Sequence, residues 1–211
     1  SSTRPNSSLP SVNEELSRLM PSLSAIRKEF PSVVISIDTV RKEVAQQSLE
    51  IGADIINDVS GGYNNNGMFE VVSKFKCPYI LTHNIEGGIN KNVMDESKNT
   101  IKELIKFFSN KISELNSLGI YDIIIDPGFG FSKNVKQNFE IIKNFELLDI
   151  LNTPILAGVS RKSMIYKPLK IKSKDALNGT TAMHAFILSK KASIFRVHDV
   201  HEMNEVKKLW E

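Results

Sequence analysis

IIIDPGFGFSK, residues 123–133, decides how the rest of the chain is read. Three consecutive isoleucines form a run with no polar face, which suits a strand covered on both sides rather than one facing water. The run stops on Asp126, and Pro127 and Gly128 turn the chain at once. A buried strand that ends on a carboxylate at a sharp turn puts that carboxylate at the rim of a sheet. Parallel α/β folds hold their ligands at that rim.

Working outward, the strand itself covers Asp122–Ile125, and five more short apolar runs read the same way: Val33–Ile37, Asp54–Val59, Tyr79–Thr82, Ile155–Ala157 and Ser193–Val197. Helical periodicity fills the gaps, over Asn13–Phe30, Val40–Ile51, Asp95–Leu118, Val135–Phe145, Asp175–Lys190 and Val200–Trp210. Ser11-x-x-Glu14 forms a capping box for the first helix, in which Pro21 predicts a kink. Thr39 is the expected N-cap of the second, and Gly52 its end. GGYNNNG, residues 61–67, is a loop. Strands alternating with helices predict βαβ units and a parallel sheet. An open doubly wound sheet and a TIM barrel both satisfy that pattern, the barrel needing two strands more than the six found.

The chain has 211 residues, 41% of them hydrophobic, enough for one large α/β domain over residues 1–211. No window reaches the ~18 apolar residues of a membrane span, and the opening SSTRPNSSLP lacks the apolar core of a signal peptide. Cys77 is alone, which excludes a disulfide framework and a cysteine-rich metal site. A cytoplasmic or organelle-matrix setting, mitochondria included, fits these features. The net charge is +3, and the lysines read as scattered rather than striped, which argues against a nucleic-acid partner.

Polar residues gather at the ends of these strands: Asp38, then Asn57 and Asp58, then Asp126, then Arg161 and Lys162, then Arg196, His198 and Asp199. Alternation along a strand puts Arg196 and His198 on one face, a seat suited to a phosphate or diphosphate. Each also has a plain reading. Asp126 would cap its own turn, Asn57 would be a satisfied buried amide, and Arg196 and His198 would pair with neighbouring carboxylates. Lys162 would be a solvated loop residue, His83 structural, and His184 and His201 ordinary helix residues.

ISIDT, GADIINDVSGG, DPGFGFSK, GVSRKSM, NGTTAMHAF and RVHDV occur in the order seen in the dihydropteroate synthases, and the opening STRPNS resembles that family's second-strand loop. This resemblance runs over nearly the whole chain. It implies a TIM (β/α)8 barrel whose strands 3–8 and their helices are the six found here. Strands 1 and 2 would then be missing from these 211 residues, which would be part of a longer polypeptide. It also implies the activity: condensation of 6-hydroxymethyl-7,8-dihydropterin diphosphate with p-aminobenzoate to 7,8-dihydropteroate and diphosphate.

The resemblance implies roles residue by residue. Asp126 would accept the pterin's ring N–H and exocyclic NH2, with Asp38, Asn57 and Lys162 completing the pterin-binding set. Gly128 and Gly130 would let the backbone approach. Thr3, Arg4, Arg196 and His198 would hold the diphosphate, and Pro5, Phe131 and Ser163 the p-aminobenzoate. Lys162, Asp126, Arg196 and His198 would form the catalytic set. Mg2+ would ride on the diphosphate, and the family's metal-contacting asparagine lies on strand 1, so no metal ligand is expected in this chain. A homodimer through the last helices, with Trp210 on its surface, and fusion to other folate-pathway enzymes in some lineages complete the picture.

The chain departs from the family at HNIEGG, residues 83–88, where the family reads close to HMxGxP. Asn84 and Glu86 are expected to reshape the entrance there. Two rivals stand beside the main expectation. A corrinoid-linked methyltransferase acting on methyltetrahydrofolate would share the pterin carboxylates but need no diphosphate seat. A degenerate, non-catalytic barrel domain would tolerate the altered loop.

Overall fold

The computed structural model describes residues 10–63, 67–85 and 94–210. The chain divides into two compact units, one of residues 1–91 with 110–124, the other of residues 92–109 with 125–211.

In the first unit, helix α1 (Val12–Glu29) starts on the predicted capping box. Ser11 N–H donates to the Glu14 carboxylate at 2.9 Å, and Glu14 N–H donates to Ser11 Oγ at 3.2 Å. The helix continues through Pro21. Strands β1 (Ser36–Asp38), β2 (Ile55–Asp58) and β3 (Tyr79–Thr82) are parallel, with Asp38 opposite Asn57 and Asn57 opposite Ile80. β1 begins three residues later than predicted, because Val33 and Val34 stay exposed outside the sheet.

Helix α2 (Lys42–Ile51) also begins later, and its N-cap is Arg41 rather than Thr39. The Thr39 hydroxyl is engaged upstream of the helix: it accepts from Arg41 N–H at 3.2 Å and donates to buried Glu15 at 3.1 Å. Gly52 closes α2 at φ +110°, a left-handed conformation costly for a residue with a Cβ.

Helix α3 (Met68–Phe75) has no counterpart in the predicted elements. It begins directly after the Asn-rich loop and buries Met68, Phe69, Val71 and Val72. Phe69 meets Tyr79 edge-on, with ring centroids 5.8 Å apart.

The second unit carries the predicted long helix as α4 (Thr100–Ser117), which starts five residues late and continues into the first unit. Asp95 is spent on a turn, accepting from Ser97 N–H at 2.9 Å and Ser97 Oγ at 2.8 Å. Thr100 instead donates to Glu140, from its N–H at 3.1 Å and its hydroxyl at 2.7 Å.

β4 (Ile123–Asp126) is buried along its whole length, as its isoleucines require. Helix α5 (Val135–Lys143) opens on a second capping box, Asn134 with Gln137, and passes into a 3-10 turn over Phe145–Leu151. β5 (Leu156–Ala157) and β6 (Ile194–Phe195) are short and parallel, Leu156 opposite Ile194. Ile125 of β4 bridges Ile155 at the start of β5. Helices α6 (Ser163–Tyr166), α7 (Leu177–Leu188) and α8 (Val200–Trp210) complete the unit. No described helix is long and apolar enough to cross a membrane.

Candidate functional site

Asp126 ends β4 fully buried, and its two oxygens have different partners. Oδ1 accepts from Gly128 N–H at 2.8 Å, the turn-capping bond that the Asp-Pro-Gly order allows. Oδ2 accepts from Arg196 Nη2 at 2.6 Å. The plain reading of Arg196, a pair with a neighbouring carboxylate, is therefore realised, and with the carboxylate expected to accept the pterin's paired donors. A carboxylate offers about four lone-pair positions, so these two bonds leave room for two more donors.

Arg196 reaches Asp126 because its own N–H donates to Ala157 O at 3.0 Å, and because Gly158 has no side chain. A Cβ there would stand 2.9 Å from Arg196 Nη2 and 3.3 Å from Cζ. The guanidinium thus lies against the Gly158 backbone.

Lys162 completes the cluster from the loop after β5. Its ammonium donates to Phe129 O and lies 5.1 Å from the centre of the Phe131 ring. Burial lowers its pKa to about 8, with the nearby Asp126 charge opposing that shift and Arg196 adding to it. Phe131, half-buried, and Ser163, the first residue of α6, belong to the same unit.

Lys133 is a residue that the motif reading passed over. It is buried at 8% exposure, and its ammonium donates to Gly128 O at 3.1 Å and Phe131 O at 3.0 Å, tying down the loop from below. Burial lowers its pKa to about 7, with Asp126 pulling it up and Lys162 pushing it down. Gly128 (φ +69°) and Gly130 (φ +81°) both take the left-handed backbone that this loop needs. The available signal was a lysine directly after a glycine-rich turn that follows a strand-end carboxylate.

Arg161 and Lys162 are neighbours in sequence but not in role. Arg161, at φ +51°, forks onto Asp199 with Nε–Oδ2 at 2.8 Å and Nη2–Oδ1 at 2.9 Å. The guanidinium holds the Asp199 carboxyl below its ordinary range. Next to Asp199, His198 rests on Ser160 Oγ, its Nδ1 at 3.0 Å and its backbone N–H at 3.3 Å.

The first unit positions the other expected residues. Asp38 is exposed at the end of β1, and Asn57 is buried opposite it. Among the described residues, Asn57 Oδ1 meets no donor. An unsatisfied buried acceptor costs about 1–3 kcal/mol, so a ligand N–H there would recover that loss. Asp58 is already committed, accepting from Tyr79 Oη at 2.7 Å and Ser60 N–H at 2.8 Å. Burial, then the Asp58 charge, pushes the Tyr79 hydroxyl far above its usual range.

His83 is buried. Asn84, expected at an entrance, is instead 1% exposed and donates to Val59 O at 3.0 Å, so it braces the turn after β2. His184 is a core residue with its ring edge-on to Phe195, and His201 is exposed near Glu205. Thr3, Arg4, Pro5 and Glu86 lie outside the described residues. Among the described residues, no group of three or more His, Cys, Asp or Glu side chains is placed to hold a metal.

The family described as pterin binding enzyme matches residues 1–198. A dihydropteroate synthase of Clostridium beijerinckii is 38% identical over 99% of this chain and 76% of its own length. The folic acid synthesis protein fol1 of Pneumocystis carinii is 35% identical over 99% of this chain, which spans 29% of that protein. The solved dihydropteroate synthase of Clostridium difficile, crystallised in the presence of pteroic acid, superposes with a TM-score of 0.91 at 33% identity, over 99% of this chain and 77% of that one. This chain, α/β with parallel strands as the resemblance implied, shares the fold of that synthase. The chain therefore belongs to the pterin binding enzymes, among the dihydropteroate synthases.

Proposed function

We infer that the chain performs the dihydropteroate synthase reaction of folate biosynthesis, joining 6-hydroxymethyl-7,8-dihydropterin diphosphate to p-aminobenzoate. The pteroic acid present with its Clostridium difficile relative contains both halves that this reaction joins. The observation that carries the inference is the buried Asp126 carboxylate, fixed by Gly128 and Arg196, with open acceptor positions and Lys162 beside it.

Each role follows from chemistry. A pterin presents a ring N–H beside an amino group, two donors that a fixed carboxylate can accept together, at about 1.5–3 kcal/mol per charged hydrogen bond. Asn57 Oδ1 supplies a further acceptor and Lys162 a donor for the pterin's carbonyl. The methylene C–O bond breaks and its electron pair leaves with the diphosphate. The resulting cation is delocalised into the pterin ring. The lone pair of the neutral aryl amine then forms the C–N bond, and the nitrogen releases one proton. Stabilising the leaving group is the main electrostatic demand. Arg196 and His198 meet it here, with Thr3 and Arg4 the proposed partners from the opening segment. Phe131, Ser163 and Pro5 are the proposed p-aminobenzoate contacts, and Lys133 holds the Gly128 and Phe131 carbonyls in place.

Mg2+ is proposed as a companion of the diphosphate, whose oxygens it prefers. The family match from residue 1 to 198 supports one pterin-binding domain over residues 1–211. The length of the Pneumocystis protein supports fusion to other folate-pathway enzymes. Exposed Phe186, Val200, Leu209 and Trp210 on α7 and α8 support a homodimer there. The cytoplasm or an organelle matrix is the proposed setting, as the place of folate synthesis.

The two depressed lysines predict a pH dependence. Both are protonated below about pH 7, and they lose their charge as pH rises through about 7 for Lys133 and about 8 for Lys162. Affinity for the anionic pterin diphosphate should therefore fall above pH 7, by roughly tenfold per pH unit for each group coupled to the ligand. Binding near pH 8 should take up protons, measurable by calorimetry in buffers of different ionisation enthalpy. Protein stability moves the other way. Unfolding restores ordinary lysine pKa values, the unfolded chain binds more protons, and the penalty that these two buried charges place on the fold fades from about pH 7 upward.

The activity itself is tested by incubating the full-length protein with both substrates and Mg2+ and measuring dihydropteroate. Product is expected, and none from a demonstrably folded protein would overturn the inference.

A further inference from the structure

The loop that leaves the Lys162 segment has a charge out of proportion to the chain. Residues 161–175, RKSMIYKPLKIKSKD, contain six basic residues and one acidic, while the rest of the chain has 21 basic and 23 acidic. The lysines are thus not scattered here, contrary to the composition-level reading. Lys167, Lys170, Lys172 and Lys174 are all exposed, and among the described residues none of them makes an ion pair.

The segment is held in shape rather than trailing in water. Lys170 N–H donates to Lys167 O at 3.1 Å and Ile171 N–H to Tyr166 O at 3.1 Å, with Lys170 in the left-handed conformation at φ +54°. A 3-10 turn over Ser173–Asp175 follows. Ser173 Oγ donates to Arg161 O at 3.0 Å. Arg161 Nη1 donates in turn to the Ser173 and Lys174 carbonyls, while its other nitrogens hold Asp199. One guanidinium therefore spans from this loop to the residue next to His198. The four unpaired ammonium groups are displayed on a braced loop, tethered beside the groups proposed to receive a diphosphate.

We propose that Lys167, Lys170, Lys172 and Lys174 form a steering surface that draws the polyanionic pterin diphosphate toward the site without touching it when bound. The proposal rests on the function proposed above. Unpaired surface charge of one sign raises encounter rates with an oppositely charged ligand, typically by about 10- to 1,000-fold for a whole surface, and salt removes the effect. The reach is about 30 Å at 0.01 M salt and about 3 Å at 1 M. Because the four side chains are exposed and, among the described residues, make no ion pair, their replacement leaves the packing alone.

The test is stopped-flow binding to the full-length protein, wild type against Lys167→Gln/Lys170→Gln/Lys172→Gln/Lys174→Gln, with two probes: 6-hydroxymethylpterin diphosphate and uncharged 6-hydroxymethylpterin. At 0.01 M salt the variant should bind the diphosphate about 3- to 10-fold more slowly with the dissociation rate unchanged. At 1 M salt the two proteins should coincide, and the uncharged pterin should bind both equally. An unchanged association rate at low salt overturns the proposal, as does an equal slowing of the uncharged probe or a loss confined to the dissociation rate. Failure of the wild type to bind either probe would overturn the proposed function and this surface with it. Normal wild-type binding without salt sensitivity would overturn the surface alone.

Discussion

Asp126→Asn is expected to lower kcat/KM for the pterin diphosphate by about 10²–10³-fold while the protein stays folded. The carboxylate already accepts from Gly128 and Arg196 and is proposed to accept two more bonds from the pterin. An amide has one acceptor oxygen and two donor hydrogens, so its nitrogen would confront Arg196, the Gly128 N–H or the pterin's own donors. Losing roughly 3–4 kcal/mol of charged hydrogen bonding corresponds to that range. The comparison is steady-state kinetics with circular dichroism of the same samples. A variant within about threefold of wild type would remove Asp126 from the chemistry.

Arg196→Ala should produce a loss of similar size for the diphosphate substrate, but with a different distribution over ligands. Sequence alone suggested that Arg196 serves only the diphosphate, which would leave binding of the bare pterin untouched. The structure pairs Arg196 with Asp126 at 2.6 Å, so its removal also loosens the carboxylate proposed to read the pterin. Binding of 6-hydroxymethylpterin should fall about tenfold, the loss of one supporting charged bond. Binding of its diphosphate should fall about 10²–10³-fold, because the proposed anion contact is lost as well. Titration calorimetry of both ligands separates the two contributions. Equal losses would limit Arg196 to holding Asp126, and an untouched bare pterin would deny the pair any part in binding.

These two residues also show where sequence reading succeeds. β3 and β4 were legible because continuous Tyr-Ile-Leu and Ile-Ile-Ile runs have no polar face to expose, and both strands are buried end to end. Asp126 was legible because an Asp-Pro-Gly order after such a run leaves few other conformations. α3 was not, since eight residues directly behind an asparagine-rich loop give too short a period to distinguish a helix from more loop. Thr39 looks like a helix cap and Asp95 like a helix start, yet each accepts a hydrogen bond in a short-range turn instead.

The polar residues at the strand ends were legible one by one, but which partner each one meets was not. Arg161 and Lys162 are adjacent in sequence, and only the left-handed backbone at Arg161 sends one to Asp199 and the other toward Asp126. Lys133 drew no role from the sequence, because a lysine behind a glycine-rich turn does not by itself announce the two carbonyls that capture it. Likewise, the opening that Gly158 leaves for Arg196 joins residues 38 positions apart, beyond the reach of any local pattern.

The claim on which everything else rests is that the Asp126 carboxylate reads the pterin edge. A crystal structure of the full-length protein with 6-hydroxymethylpterin tests it most directly. The ring N–H and the exocyclic amino group should both lie within about 2.7–3.0 Å of the Asp126 oxygens, with Gly128 N–H still bonded to Oδ1. A pterin bound elsewhere, or one turned so that its carbonyl faces Asp126, would contradict the account.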